Sequence, residues 1–154
     1  MWHLKDKTVV ISGATNGIGK AAALELAKHG PKLLLTFRNQ ELADNLLAEI
    51  KTAAPDVSVE LIYCDFSMQS SIRECSKEII ASQDKIDVLI NNAGVVNTSY
   101  HETSEGIENT FAVNHLGYFL FTNLLLNKMK GPEESRIINV SSAAHSFVKD
   151  MNWK

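Results

Sequence analysis

Five short apolar runs, separated by four longer stretches of helical periodicity, leave this 154-residue chain few ways to fold. Residues 8–12 form a β-branched run that ends at a glycine turn, and 32–36, 57–63, 86–91 and 136–141 are the later strand candidates. Between them, Ile18, Ala22 and Leu26 recur at every fourth position, as do Leu42, Leu46 and Ile50. Ile72, Cys75 and Ile79 mark a third helical face with Ser67 as its expected N-cap, and a long apolar helix is predicted over 107–130. Gly30-Pro31 and Gly131-Pro132 punctuate helix ends. Strands that are nearly continuous apolar runs are buried on both faces, as in parallel sheets covered by helices. With right-handed crossovers, the expected fold is α/β: a doubly wound parallel sheet of Rossmann type, truncated after the fifth strand, in one domain over 1–154.

Composition narrows the function. At 45% hydrophobic and 21% charged residues the chain reads as an ordinary globular protein. A net charge of -3 with scattered lysines and arginines excludes a nucleic-acid surface. No segment is long and apolar enough to span a membrane, and nothing resembles a leader, so a cytoplasmic location is expected. Cys64 and Cys75 lack metal-ligand spacing and read as small core residues of a reducing compartment, so no metal site is expected. The sequons at Asn97 and Asn139 are then incidental. His3, His29, His101 and His115 have no partner pattern; His145, just after a serine pair, could approach a ligand.

The chemistry begins at the turn between the first strand and first helix, Ser12-Gly13-Ala14-Thr15-Asn16-Gly17-Ile18-Gly19. The spacing is GxxxGxG rather than GxGxxG, but the physics is shared. A tight turn needs glycine, a diphosphate must approach the backbone, and the helix N-terminus offers N–H groups and partial positive charge. A NAD-type site carries an acidic residue about 20 positions further on, for the ribose hydroxyls. The second strand instead runs out into Thr36-Phe37-Arg38-Asn39, with no carboxylate. A guanidinium suits a 2′-phosphate through charge-assisted bonds, so Arg38 points to NADP(H).

These motifs, with Asn91-Asn92-Ala93-Gly94, Asn114 within Phe111-Ala112-Val113-Asn114-His115-Leu116-Gly117, and Arg136-Ile137-Ile138-Asn139-Val140-Ser141-Ser142, resemble the short-chain dehydrogenase/reductase family. Phe37-Arg38-Asn39, Ser142-Ala143-Ala144-His145 and residues 147–153 are most similar to its retinol dehydrogenase-like branch. The resemblance implies that Gly13, Asn16, Gly17, Ile18 and Gly19 enclose the diphosphate and its ribose. It places Asp65 on the adenine amino group with Phe66 beside it, and Asn91, Ala93 and Gly94 along the adenosine side. It makes Asn114 the asparagine of a proton relay and Ser142 the hydrogen-bond partner of the substrate oxygen. Read from the residues alone, Asp65 is equally an Asx cap, Asn91 and Asn92 loop-satisfying amides, and Ser141 a rival to Ser142.

The family's catalytic tyrosine, with a lysine four residues on, is expected after the serine. The tyrosines here are Tyr63, Tyr100 and Tyr118, all before Ser142 and none followed by lysine at the fourth position. The implied function is therefore an NADP(H)-dependent oxidoreductase on a carbonyl/alcohol pair of retinoid, steroid or lipid-aldehyde type, represented by an N-terminal fragment. The alternative is a non-catalytic NADP(H)-binding module or truncated splice form. The expected partner is a small carbonyl or alcohol, and the resemblance allows homo-oligomers. If the fifth strand forms a sheet edge, its uncovered surface favours self-association.

Overall fold

The computed structural model describes residues 3–131 and 134–147. Pro132 and most of the 147–153 tail lie outside them, as does the side chain of His145. The sheet has five parallel strands: β1 (Thr8–Ile11), β2 (Lys32–Phe37), β3 (Ser58–Tyr63), β4 (Val88–Asn91) and β5 (Arg136–Asn139). Their order is β3-β2-β1-β4-β5, the doubly wound arrangement expected. In register, Val9, Val10 and Ile11 of β1 face Leu33, Leu34 and Leu35 of β2 on one side and Val88, Leu89 and Ile90 of β4 on the other.

Alternation of side chains along the central strands makes two cores rather than one. Val9, Ile11, Leu33 and Leu35 point to the face covered by helices α1 (Gly17–Ala27) and α2 (Gln40–Ala53), where Ala23, Leu46 and Ile50 meet them. Val10, Leu34 and Leu89 point to the other face, under α3 (Gln69–Ser82) and α5 (Gly117–Met129), among Ile72, Ile79, Phe121 and Leu125. Each such side chain taken fully out of water contributes about 1.5–3 kcal/mol, which is what holds the layers together. Phe121 is fully buried and meets Phe66 edge-on, with ring centroids 5.3 Å apart. Cys64 and Cys75 lie in this same core as free thiols. Their contact and burial hold the Cys64 thiol well above its ordinary pKa.

Three sequence expectations need correcting. Four strands are a residue or two shorter than their apolar runs, ending at Ile11 and Asn139 and starting at Ser58 and Val88, whereas β2 runs one residue further, to Phe37. The predicted 107–130 helix is not uniform: a short α4 (Asn109–Phe111) passes through a π-helical turn, Ala112–Leu116, into α5. Ser67 is not an N-cap, since α3 starts after Met68 and the Ser67 N–H and hydroxyl both donate to Asp65 Oδ1, at 2.9 and 2.7 Å. The first turn of α3 is met from a distance instead: the Gln69 N–H donates to Glu105 Oε1 at 3.1 Å.

β5 is a sheet edge, as anticipated, and all four of its residues are exposed. Ile137 and Ile138 keep 41% and 46% of their surface, although they point to opposite faces.

Candidate functional site

In an open α/β sheet, ligands bind beyond the carboxyl ends of the strands where the strand order reverses. Here the reversal lies between β1 and β4, and a cavity of about 610 Å³ opens there. The turns after β1, β2, β3 and β4 contribute Gly13 and Thr15 to Ile18, Arg38, Asp65 and Ala93 to its wall.

The glycine turn is held open by three side chains from its neighbours. Ser12 Oγ accepts the N–H groups of Asn92 and Ala93, at 2.8 and 3.0 Å. Asn92 Nδ2 donates to the carbonyls of Ser12 and Gly13, at 3.0 and 2.9 Å. The Gly13 N–H donates to Thr36 Oγ1 at 3.1 Å. Asn92 thus engages two carbonyls of the turn and Thr36 one of its N–H groups, while the first turn of α1 carries N–H groups that have no intrahelical acceptor. Asn16 caps that helix, its Oδ1 accepting from the Gly17 N–H at 2.8 Å.

Each motif glycine answers a different demand. Gly13 has φ +64°, and a Cβ there would lie 2.7 Å from Ala93 Cα, so it permits the close approach of two turns. A Cβ on Gly19 would meet Asn92 Nδ2 and the Gly13 carbonyl oxygen, both at 2.4 Å. Gly17, at φ +52°, has nothing within 4 Å of its Cβ position, so it borders open space at the cavity wall. A concavity at a helix N-terminus fits an anionic diphosphate.

At the end of β2, Arg38 lines the cavity with its side chain 63% exposed, and its Nη1 lies 3.9 Å from Asp65 Oδ1. Asn39 follows as the N-cap of α2, accepting from the Leu42 N–H at 3.0 Å. Asp65 is a capping Asx residue toward Ser67, and its own N–H donates to Ser71 Oγ at 2.8 Å. Phe66 reaches the cavity wall but is only 5% exposed, its ring packed among Tyr118 and Phe121.

Among the residues singled out from sequence, Gly13, Asn16, Gly17, Ile18, Arg38, Asp65, Phe66, Ala93 and Gly94 line the cavity. Gly19, Asn91, Asn114 and Ser142 are not among its lining residues. Asn91 is fully buried; its Nδ2 donates to Thr122 Oγ1 at 2.9 Å and Asn139 Oδ1 at 2.8 Å, tying β4 to α5 and β5. Asn114 sits in the π turn and pairs with one peptide unit, Nδ2 to the Val95 carbonyl and Oδ1 from the Val95 N–H, both 2.9 Å. That pairing fastens the chain after Gly94 to the helix, and the Asn114 Oδ1 lies 3.5 Å from a Cβ placed on Gly94. Ser142 Oγ accepts the Ala144 N–H at 3.1 Å, opening the 3₁₀ turn Ala143–Phe147.

Asn92 does satisfy loop backbone, as the residues alone allowed, through the Ser12 and Gly13 carbonyls, whereas Thr36, whose partner lies across the turn, was missed by sequence reasoning. The doubled asparagine after β4 was the signal for Asn92. Burial pushes the Tyr118 phenol up to about 12. No group of three or more His, Cys, Asp or Glu suited to a metal occurs among the described residues, and none of their helices is long and apolar enough to cross a membrane.

Fold and cradle together define a doubly wound α/β protein with its anion-binding turn at the switch point of the sheet. Residues 7–152 match the family model described as short chain dehydrogenase, and the chain belongs to that family. It is 43% identical over 155 residues to human (Homo sapiens) Retinol dehydrogenase 13, covering 98% of this chain and 47% of that protein. With human Retinol dehydrogenase 11 it shares 44% identity over 143 residues, 93% of this chain and 45% of the relative. It thus spans about half the length of the curated relatives it matches. A crystal structure of a putative uncharacterized protein from Mycobacterium Paratuberculosis superposes at a TM-score of 0.78 with 36% identity, covering 93% of this chain and 48% of that one. A metagenomic short-chain oxidoreductase in complex with NADP gives 0.78 at 30% identity, covering 92% and 64%.

Proposed function

We propose that these residues hold NADP(H) for an oxidoreductase that interconverts a carbonyl and an alcohol on a retinoid or similar lipid-like substrate. The observation that carries the cofactor reading is Arg38 on the cavity wall at the end of β2, where a NAD site would present a carboxylate. The solved relative in complex with NADP and the 43% identity to a protein named as a retinol dehydrogenase support the two halves of the reading. Gly13, Asn16, Gly17, Ile18 and Gly19 form or support the cradle for the diphosphate, and Arg38 pairs with the 2′-phosphate. Asp65, Phe66, Ala93 and Gly94 border the adenosine, while Asn91 steadies the strand that presents them.

Bound nicotinamide would supply or accept the hydride. Ser142 would donate its hydroxyl to the substrate oxygen, and Asn114 would fix the helix turn beside the reacting end. We assign the protein to the cytoplasmic side of the cell, with a small-molecule substrate and self-association as its expected partner chemistry.

Fluorescence titration with NADPH and NADH tests the cofactor. NADPH should bind more tightly, and Arg38→Ala should erase roughly a 10- to 100-fold preference. Equal affinity for the two nucleotides in the unmodified protein would overturn the assignment. Adding retinal and following NADPH oxidation separates the two functional readings, because binding without turnover leaves a nucleotide-binding module.

A further inference from the structure

Asn16-Gly17 is the one Asn-Gly dipeptide in the sequence, and it stands in the cradle wall. We infer that Asn16 is a deamidation site whose conversion introduces a carboxylate at the diphosphate cradle and disables cofactor binding, the aspartate product leaving the fold intact. The inference depends on the NADP(H) reading only for its consequence, not for the chemistry at Asn16.

The reaction needs the backbone nitrogen of the following residue to attack the side-chain amide carbon. Asn16 Oδ1 already lies 2.8 Å from Gly17 N, so the attacked Cγ is one bond beyond a hydrogen-bond contact. Proximity of this kind is the main requirement of an intramolecular attack. Both residues are exposed, and the Gly17 Cβ position is open, so base and water reach the peptide unhindered. Closure requires Asn16 ψ to leave 164°, and glycine at the next position opposes that rotation least.

The balance is simple. Base removes the Gly17 N–H proton, the nitrogen bonds to Asn16 Cγ, and the Cγ–Nδ2 bond breaks with release of ammonia. Water then opens the cyclic imide at either carbonyl, leaving aspartate or isoaspartate and one new negative charge.

The structure carries its own control. Asn39 is likewise exposed and caps α2, but it is followed by Gln40 and its Oδ1 accepts from Leu42 N, three residues on. Equal exposure and an equal capping role therefore differ in the two features that matter. Aspartate caps a helix as well as asparagine does, so α1 survives conversion to that product. A carboxylate facing a diphosphate does not leave binding intact: charges a few ångströms apart near a surface weaken affinity by roughly 10- to 100-fold or more.

The experiment is incubation of the whole chain at mildly alkaline pH, with and without saturating NADPH, followed by peptide mapping that separates aspartate from isoaspartate. Conversion is expected at Asn16 well ahead of Asn39, slowed by NADPH. Asn16→Asp should melt with the parent protein and bind NADPH at least 10-fold more weakly. Equal conversion rates at Asn16 and Asn39 would overturn the assignment, and so would unaltered NADPH affinity in Asn16→Asp. If the unmodified protein binds no NADPH, the cofactor reading fails, yet faster conversion at Asn16 would still establish the modification site.

Discussion

Two glycines of one motif should fail in opposite ways when each is given a single methyl group. Gly19→Ala places its Cβ 2.4 Å from the Gly13 carbonyl oxygen and from Asn92 Nδ2. The first is backbone and the second is engaged by the Ser12 and Gly13 carbonyls, so neither yields without breaking the turn. Overpacking of this kind costs about 1–3 kcal/mol, and loss of the Asn92 bonds adds about 1 kcal/mol for each. Against a total stability of about 5–15 kcal/mol, that is a large fraction. Gly17→Ala meets nothing within 4 Å and pays only for a side chain at φ +52°, about 1–2 kcal/mol. Its methyl, however, enters the space assigned to the diphosphate. Urea unfolding followed by circular dichroism, paired with NADPH titration, separates the two. Gly19→Ala should shift the unfolding midpoint the more, and Gly17→Ala should weaken NADPH out of proportion to its stability loss. Equal midpoints for the two variants, or native NADPH affinity in Gly17→Ala, would refute the division of labour.

Other outcomes follow from the packing and the charges. Asp87 is buried, and although desolvation pushes its carboxyl upward, the Thr8 N–H and the ammonium groups of Lys85 and Lys7 hold it below its ordinary pKa. A depressed pKa contributes stability that is present above the unfolded value and lost as pH falls through the folded one, so acid unfolding below about pH 4 should flatten in Asp87→Asn. Phe121→Ala should cost about 3–5 kcal/mol by calorimetry or denaturant, a loss under 1 kcal/mol arguing against the packing described. The exposed β5 edge should make the 154-residue chain self-associate, which light scattering would refute by finding a monodisperse monomer.

The sequence made the sheet legible because Val9, Val10 and Ile11 are apolar without interruption, and such a run is stable only between two helical layers. The glycine spacing located the cradle for a similar reason, since close backbone approach has few solutions. What stayed hidden depends on distant partners. Nothing local distinguishes residues 112–116 from an α-helix, and the π turn exists where Asn114 reaches the backbone of Val95. Asn92 could be read only as a loop-satisfying amide, because the carbonyls it engages lie 79 and 80 residues earlier. Ser67 has the chemistry of a cap, but α3 begins only after Met68, and Ser67 is turned to Asp65 two residues before it.

The two sulfurs packed between the sheet and α3 have a use that their inertness creates. A thiol reacts as its thiolate, and burial with mutual contact keeps Cys64 protonated while the layer is closed. Alkylation then measures how often α3 lifts from the sheet rather than how reactive the sulfur is, in the manner of a native-state exchange clock. Cys64 also borders the cavity wall beside Asp65, so its labelling rate gauges how firmly an occupied cradle latches the layer shut.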